Sequence, residues 1–168
     1  MKLPTRIRRL YEVRVEPAGH RQPYEGAFIG RTHEHALRVY FEDTDAGGVV
    51  YHAAYLRFME RARSDMLRAI GIDQRAALEC GTGVYAVVDL SIKYRVSARL
   101  DDALLVLSEI REVKAATCLI QQRVMRRKEI VAEALVRVAF LAPNGRPKRQ
   151  PAEWQDKFRR MWREDTGV

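Results

Sequence analysis

From position 33 onward the apolar residues fall into a regular pattern. Leu37, Val39 and Phe41 alternate with polar neighbours, which predicts a half-buried strand. A loop over 42–50 follows, turning on Gly47 and Gly48. A helix is then predicted over 53–70. Tyr55, Met59, Ala62, Met66 and Ile70 form its apolar stripe, and Arg57, Glu60, Arg61, Ser64 and Arg68 its polar one. Gly71 suits the left-handed position that ends such a helix. Arg63 falls among Met59, Met66 and Leu67, so it needs a partner if that face is buried. Next, Val84, Ala86, Val88, Leu90, Ile92, Tyr94 and Val96 alternate with polar residues as one face of a long strand. Further strands are predicted over 104–113, 117–125 and 130–141, separated by Asp101-Asp102 and by the charged turn 126–129. Short turns make neighbouring strands antiparallel. One helix packed on the face of such a sheet gives an α+β architecture, with the sheet curling around the helix.

A last helix is predicted over 152–163, opened by Pro151. Trp154, Phe158, Met161 and Trp162 line one side of it, and basic residues fill the rest. Packing on its own sheet or on a sister subunit is the favoured role for that stripe; a helix lying in a membrane surface is the alternative. Residues 1–32 lack clean periodicity, and Pro17, Gly19, Pro23, Gly26 and Gly30 interrupt them. They read as a loosely ordered basic extension, with one short strand near 11–15. The chain thus divides into 1–32, a main domain over 33–150 and the helix over 151–168.

The net charge of +8 changes this picture little. Residues 1–15 carry five cations and one anion, and residues 143–168 seven cations and four anions. The excess sits at the ends, so nucleic acid is not the expected partner, and contact with an anionic membrane surface fits better. No apolar run is long enough to span a bilayer, and the first ten residues do not read as a secretory signal. Cys80 and Cys118 form neither a disulfide framework nor a thiolate metal site, so a cytoplasmic setting is expected. His33 and His35 share a strand face without a third ligand, so no metal is expected. Phosphate-loop and dinucleotide patterns are absent from the sequence.

The informative segment is YFEDTDAGGVVYHAAYLRFMERARS, residues 40–64. It ends a strand, presents Asp43 and Asp45, turns on Gly47 and Gly48, and opens a helix near His52. A helix N-terminus offers unpaired N–H groups and partial positive charge, which suit a developing oxyanion. A carboxylate a few residues earlier can face the same space as nucleophile or general base. The same residue types also serve as ordinary turn and cap formers, and spacing alone leaves that alternative open.

The run EDTDAGGVVYH, with Tyr55 and the ERAR of Glu60 to Arg63, closely resembles the Tol–Pal-associated acyl-CoA thioesterases. These belong to the hydroxybenzoyl-CoA thioesterase group of the hotdog superfamily. The likeness extends over about 36–150 and includes Tyr94, Arg99-Leu100-Asp101-Asp102 and Gly145-Arg146-Pro147. It implies a five- or six-stranded sheet around the long helix, and subunits paired side by side as a dimer or dimer of dimers with active sites at the interface. It implies Asp45 as the catalytic carboxylate and the backbone N–H of His52 as the group polarising the thioester carbonyl. Gly47, Gly48, Val49 and Tyr51 then support the loop and the oxyanion site. Lys93, Arg95 and Arg126 are candidates for the CoA phosphates, with Arg127 and Lys128 beside them. No cofactor is implied, since CoA belongs to the substrate. An acyl carrier protein is a further candidate partner, and the inner membrane a candidate peripheral location. Two departures stand out. Phe41 replaces a Tyr common in the family, and Ala54 replaces an Asn. Three other readings compete: a hotdog hydratase, a non-catalytic acyl-CoA or acyl-carrier-protein binding module, and a membrane-surface adaptor working through the basic ends. The hydratase pattern places His five residues after the Asp, where this chain has Val50.

Overall fold

In a computed structural model, residues 24–162 are described. They form β1 (Ala27–Ile29), β2 (Thr32–Arg38), a 3-10 turn (Phe41–Asp43), α1 (His52–Ala69), α2 (Gln74–Glu79) and β3 (Val84–Tyr94). β4 (Ala103–Val113), β5 (Thr117–Arg126), β6 (Glu129–Leu141) and α3 (Ala152–Trp162) follow. The six strands make one antiparallel sheet in the order β1-β2-β4-β5-β6-β3. Period-two burial aims Leu104, Val106, Ile110, Cys118, Ile120, Val124, Val136 and Val138 at the core. Helix α1 lays Ala54, Tyr55, Phe58, Met59, Ala62 and Met66 into the same core.

Arg63 is buried and finds its partners there. It donates to Gln122 Oε1 at 2.5 Å and pairs with Glu60. Gln122 in turn donates to the Met59 carbonyl at 3.0 Å and to Ser108 Oγ at 2.9 Å. Gly71 takes φ +73° just beyond α1, as its position predicts.

Three features differ from the sequence reading. First, β3 does not keep one apolar face. Tyr85, Leu90 and Ile92 all pack on the core, although Tyr85 is of opposite parity to the other two. The register shifts between Val87 and Asp89, and such a bulge turns successive side chains to the other side. Val84, Val87 and Val88 are left exposed, and the strand ends at Tyr94, before Val96.

Second, part of the segment read as a loose extension is ordered: Ala27–Ile29 pairs with β2 as a hairpin. Gly26 permits this, because a Cβ there would sit 2.3 Å from the Glu34 carbonyl oxygen. The Gly26 N–H donates to Asp65 Oδ2 on α1 at 2.7 Å. His33 Nε2 lies 3.0 Å from the same oxygen, and His35 Nδ1 3.4 Å from it. The strand proposed near 11–15 lies outside the described residues.

Third, α2 had no sequence signal strong enough to place it. Asp73 caps it, accepting the Ala76 N–H at 2.9 Å. The C-terminal helix α3 packs on its own sheet. Trp154 and Phe158 are buried, within 6.0 Å of the Tyr85 ring by centroid.

Candidate active site

The segment from β2 to α1 is built by local hydrogen bonds. Asp43 is buried, and its carboxylate accepts the Tyr40 N–H at 2.9 Å. Arg57 Nη2 lies 3.6 Å from its other oxygen, and the Asp43 carbonyl accepts the Tyr51 N–H at 2.8 Å. Asp43 therefore braces the loop from inside.

Asp45 is placed differently. Its backbone closes a tight turn, receiving the Gly48 N–H on its carbonyl at 3.0 Å and donating to the Val49 carbonyl at 2.9 Å. Its side chain is exposed, and Oδ1 accepts the Gly47 N–H at 2.8 Å. The second oxygen accepts no hydrogen bond among the described residues. Gly48 is the glycine this geometry requires, and Gly47 leaves room beside the carboxylate. Gly48 sits at φ +74°, and a Cβ on Gly47 would stand 3.1 Å from Asp45 Oδ1.

The turn delivers the chain to α1. Val50 is buried and donates to the Ala98 carbonyl at 2.8 Å, which anchors the loop. Tyr51 occupies the cap position, but its side chain makes no capping bond. Among the described residues, the N–H groups of His52 and Ala53, the first two of the helix, thus have neither an intrahelical acceptor nor a cap. Asp45, Val49, His52, Tyr55, Tyr94 and Arg95 line one open cleft of about 330 Å³. A free carboxylate oxygen and the positive end of an 18-residue helix therefore share one space.

The remaining predicted residues separate. Arg95 lies at the cleft and bonds Glu133 from Nε at 3.1 Å. Lys93 lines a depression elsewhere, with Arg111, Gln121 and Glu133. Arg126 sits at the β5–β6 turn, bonded to Asp102 at 2.9 Å and Glu129 at 2.7 Å. The Tyr51 ring lies tilted against that of His52, with ring centroids 4.3 Å apart.

Tyr55 and Tyr94 were not singled out as site residues. Burial pushes both phenols above their ordinary values, and the Tyr55 hydroxyl accepts the Ala98 N–H at 3.1 Å. Helical spacing marks Tyr55, and alternation with apolar neighbours Tyr94, as core residues. Nothing local shows that the sheet brings Tyr94 to the helix tip. A second, narrower cavity of about 80 Å³ lies near the other end of β3, among Tyr85, Val87, Leu67, Ser64 and Phe158.

A family model described as Thioesterase-like superfamily matches residues 39–161. The acyl-CoA thioesterase YbgC of Haemophilus influenzae is 52% identical over 103 residues, covering 61% of this chain and 76% of that protein. A probable thioesterase from Bartonella henselae superposes with a TM-score of 0.68 at 32% identity, covering 71% of this chain and 99% of that one. A 4-hydroxybenzoyl-CoA thioesterase solved with 4-hydroxybenzoyl-CoA shares the fold, at TM-score 0.70 and 21% identity, over 76% of this chain and 98% of that one. The chain belongs to the thioesterase-like superfamily and is a hydrolase of the hotdog fold. The family resemblance carried by the 42–52 motif is borne out.

Proposed function

We propose that this protein hydrolyses acyl-CoA thioesters, with Asp45 as the reacting carboxylate. The observation that carries this is the unbonded Asp45 oxygen sharing a cleft with the uncapped tip of α1. The thioester carbonyl oxygen accepts the His52 N–H and feels the helix dipole, and both act most strongly on the charge that grows in the tetrahedral intermediate. Asp45 then either attacks the carbonyl carbon, giving a mixed anhydride that water opens, or takes a proton from an attacking water. In both routes the thiolate of CoA leaves. The His52 imidazole borders the cleft and orients the water or the thioester. Gly47, Gly48, Val49 and Tyr51 hold the loop, and Arg95 is the cation best placed for a CoA phosphate. Lys93 and Arg126 have weaker claims, since one lies away from the cleft and the other is already paired with two carboxylates.

We also infer a homo-oligomer built on β3. Among the described residues this strand is at the sheet edge, 11 residues long, with exposed valines and unpaired backbone groups. Antiparallel pairing with a second copy sets the Tyr94 end of one strand against the Val84 end of the other. The cavity near Tyr85 and Val87 is thereby brought toward the partner's Asp45 cleft, where it suits the acyl group. The apolar face of α3 is occupied by its own sheet, which favours packing over membrane contact for that helix. No helix among the described residues is long and apolar enough to cross a membrane.

The test is turnover of a panel of acyl-CoA esters by wild type, Asp45→Ala and Asp45→Asn. Loss of turnover in both variants, with melting temperatures unchanged, supports the assignment. Equal turnover in all three ends it.

A further inference from the structure

β3 ends at Tyr94, whose side chain reaches from the sheet edge to the first turn of α1. Its hydroxyl donates to the His52 carbonyl oxygen at 3.0 Å. Its ring meets the His52 imidazole edge-on, with centroids 6.4 Å apart, and lies 5.6 Å from the ring of Tyr55. The His52 carbonyl and the Ala53 N–H are the two ends of one peptide group. A peptide oxygen that accepts a hydrogen bond draws charge toward itself and leaves its N–H a stronger donor. The neighbouring peptide is polarised in the same way by backbone alone, because the Tyr51 carbonyl accepts the Ala54 N–H at 2.8 Å. The two free donors at the helix tip are therefore each backed by a hydrogen bond from behind. Both carbonyls also accept bonds along α1, so for His52 the backing comes from the helix alone, and for Ala53 a phenol on another element adds to it.

We propose that Tyr94 is a positioning residue for thioester hydrolysis, acting through the 52–53 peptide to orient and polarise the Ala53 N–H as a second donor to the oxyanion. This role rests on the catalytic reading of Asp45 and the α1 tip. Tyr94 makes no bond to the reacting atoms in this scheme. Partial burial keeps its phenol protonated above the ordinary range, so it remains a donor at working pH. The residue is still 46% exposed and lines the cleft, so removing the hydroxyl alone leaves no large void.

Tyr94→Phe keeps the ring and deletes the donor. Oxyanion donors are worth about 10²–10³ in rate, and cooperative strengthening is roughly 10–30% per bond, so kcat should fall about two- to eightfold. KM and melting temperature should stay at wild-type values. The amide proton of Ala53, followed in protein labelled with ¹⁵N-alanine, should move upfield as its peptide loses polarisation. An unchanged kcat overturns the proposal. So does a kcat that falls together with melting temperature while the Ala53 amide stays in place, because that marks a brace for the fold. Asp45→Asn run alongside separates the two levels. If that variant retains wild-type turnover, the catalytic reading itself has failed. If it is inactive while Tyr94→Phe equals wild type, only the role of Tyr94 has failed.

Discussion

Two aspartates on this chain lie close to histidines, and they are opposites. Asp65, near the C-terminal end of α1, is buried and saturated. Its Oδ2 accepts the Gly26 N–H, with His33 and His35 beside it, and Arg68 approaches Oδ1 at 3.3 Å. Asp45 is exposed, with one oxygen held by a loop amide and the other left open beside two uncapped helix N–H groups. Composition does not tell them apart. Asp65 spends its hydrogen-bonding capacity on fastening the β1–β2 hairpin to the helix. Asp45 keeps capacity in reserve, and that reserve is what a substrate can use.

The contrast can be broken or sharpened by substitution. The largest expected effect is at Asp45. Asp45→Asn should lower kcat about 10²–10⁴-fold against acyl-CoA esters, while its thermal unfolding stays at wild-type values, as exposed loop changes generally do. Asp65→Ala should do the reverse. It strands a part-buried amide and two imidazoles, at a cost of about 2–4 kcal/mol in urea unfolding, with kcat near wild type at temperatures where it is folded. His52→Ala keeps the backbone N–H and removes only the ring, so steady-state kcat should fall by no more than roughly tenfold. A loss as large as that of Asp45→Asn would make the imidazole, and not the peptide, the main stabiliser.

The smallest effect is in pH. Burial lowers the pKa of His33, although the Asp65 carboxylate pulls it the other way. The unfolded chain then binds this proton more readily than the folded one. Stability should be full above the unfolded value, about 6.5, and decline as pH falls toward the lowered folded value. Melting curves from pH 8 to pH 5 should show this decline in wild type and a flatter profile in His33→Gln.

The order of strands and helix was legible because each element keeps its own period. The Asp45 loop was legible because its chemistry is local: two glycines, one free carboxylate and one helix start within a few residues. What escaped was set by distant contacts. The bulge in β3 leaves no mark in an unbroken alternation of apolar residues, so Val88 seemed to share a face with Leu90. Gly26 and Gly30 read as breakers, yet one permits close approach to a neighbouring backbone and the other, at φ +60°, turns the hairpin. His33 and His35 gained meaning only when the helix brought Asp65 against them. Tyr94 reached the cleft through sheet topology, and Arg126 was drawn away from any ligand by Asp102 and Glu129.

The place of β3 at the sheet edge also bears on how the molecule is made. β4, β5 and β6 are successive hairpins and can zip together as they emerge from the ribosome. β3 is earlier in the chain but must wait, since it pairs from Val84 with Leu141 to Tyr94 with Ala132. Closing that long loop is the slow, non-local step. Tyr94 reaches its place over the helix tip only when β3 docks, so the finished cleft should arise late and all at once, after nearly the whole chain has been synthesised.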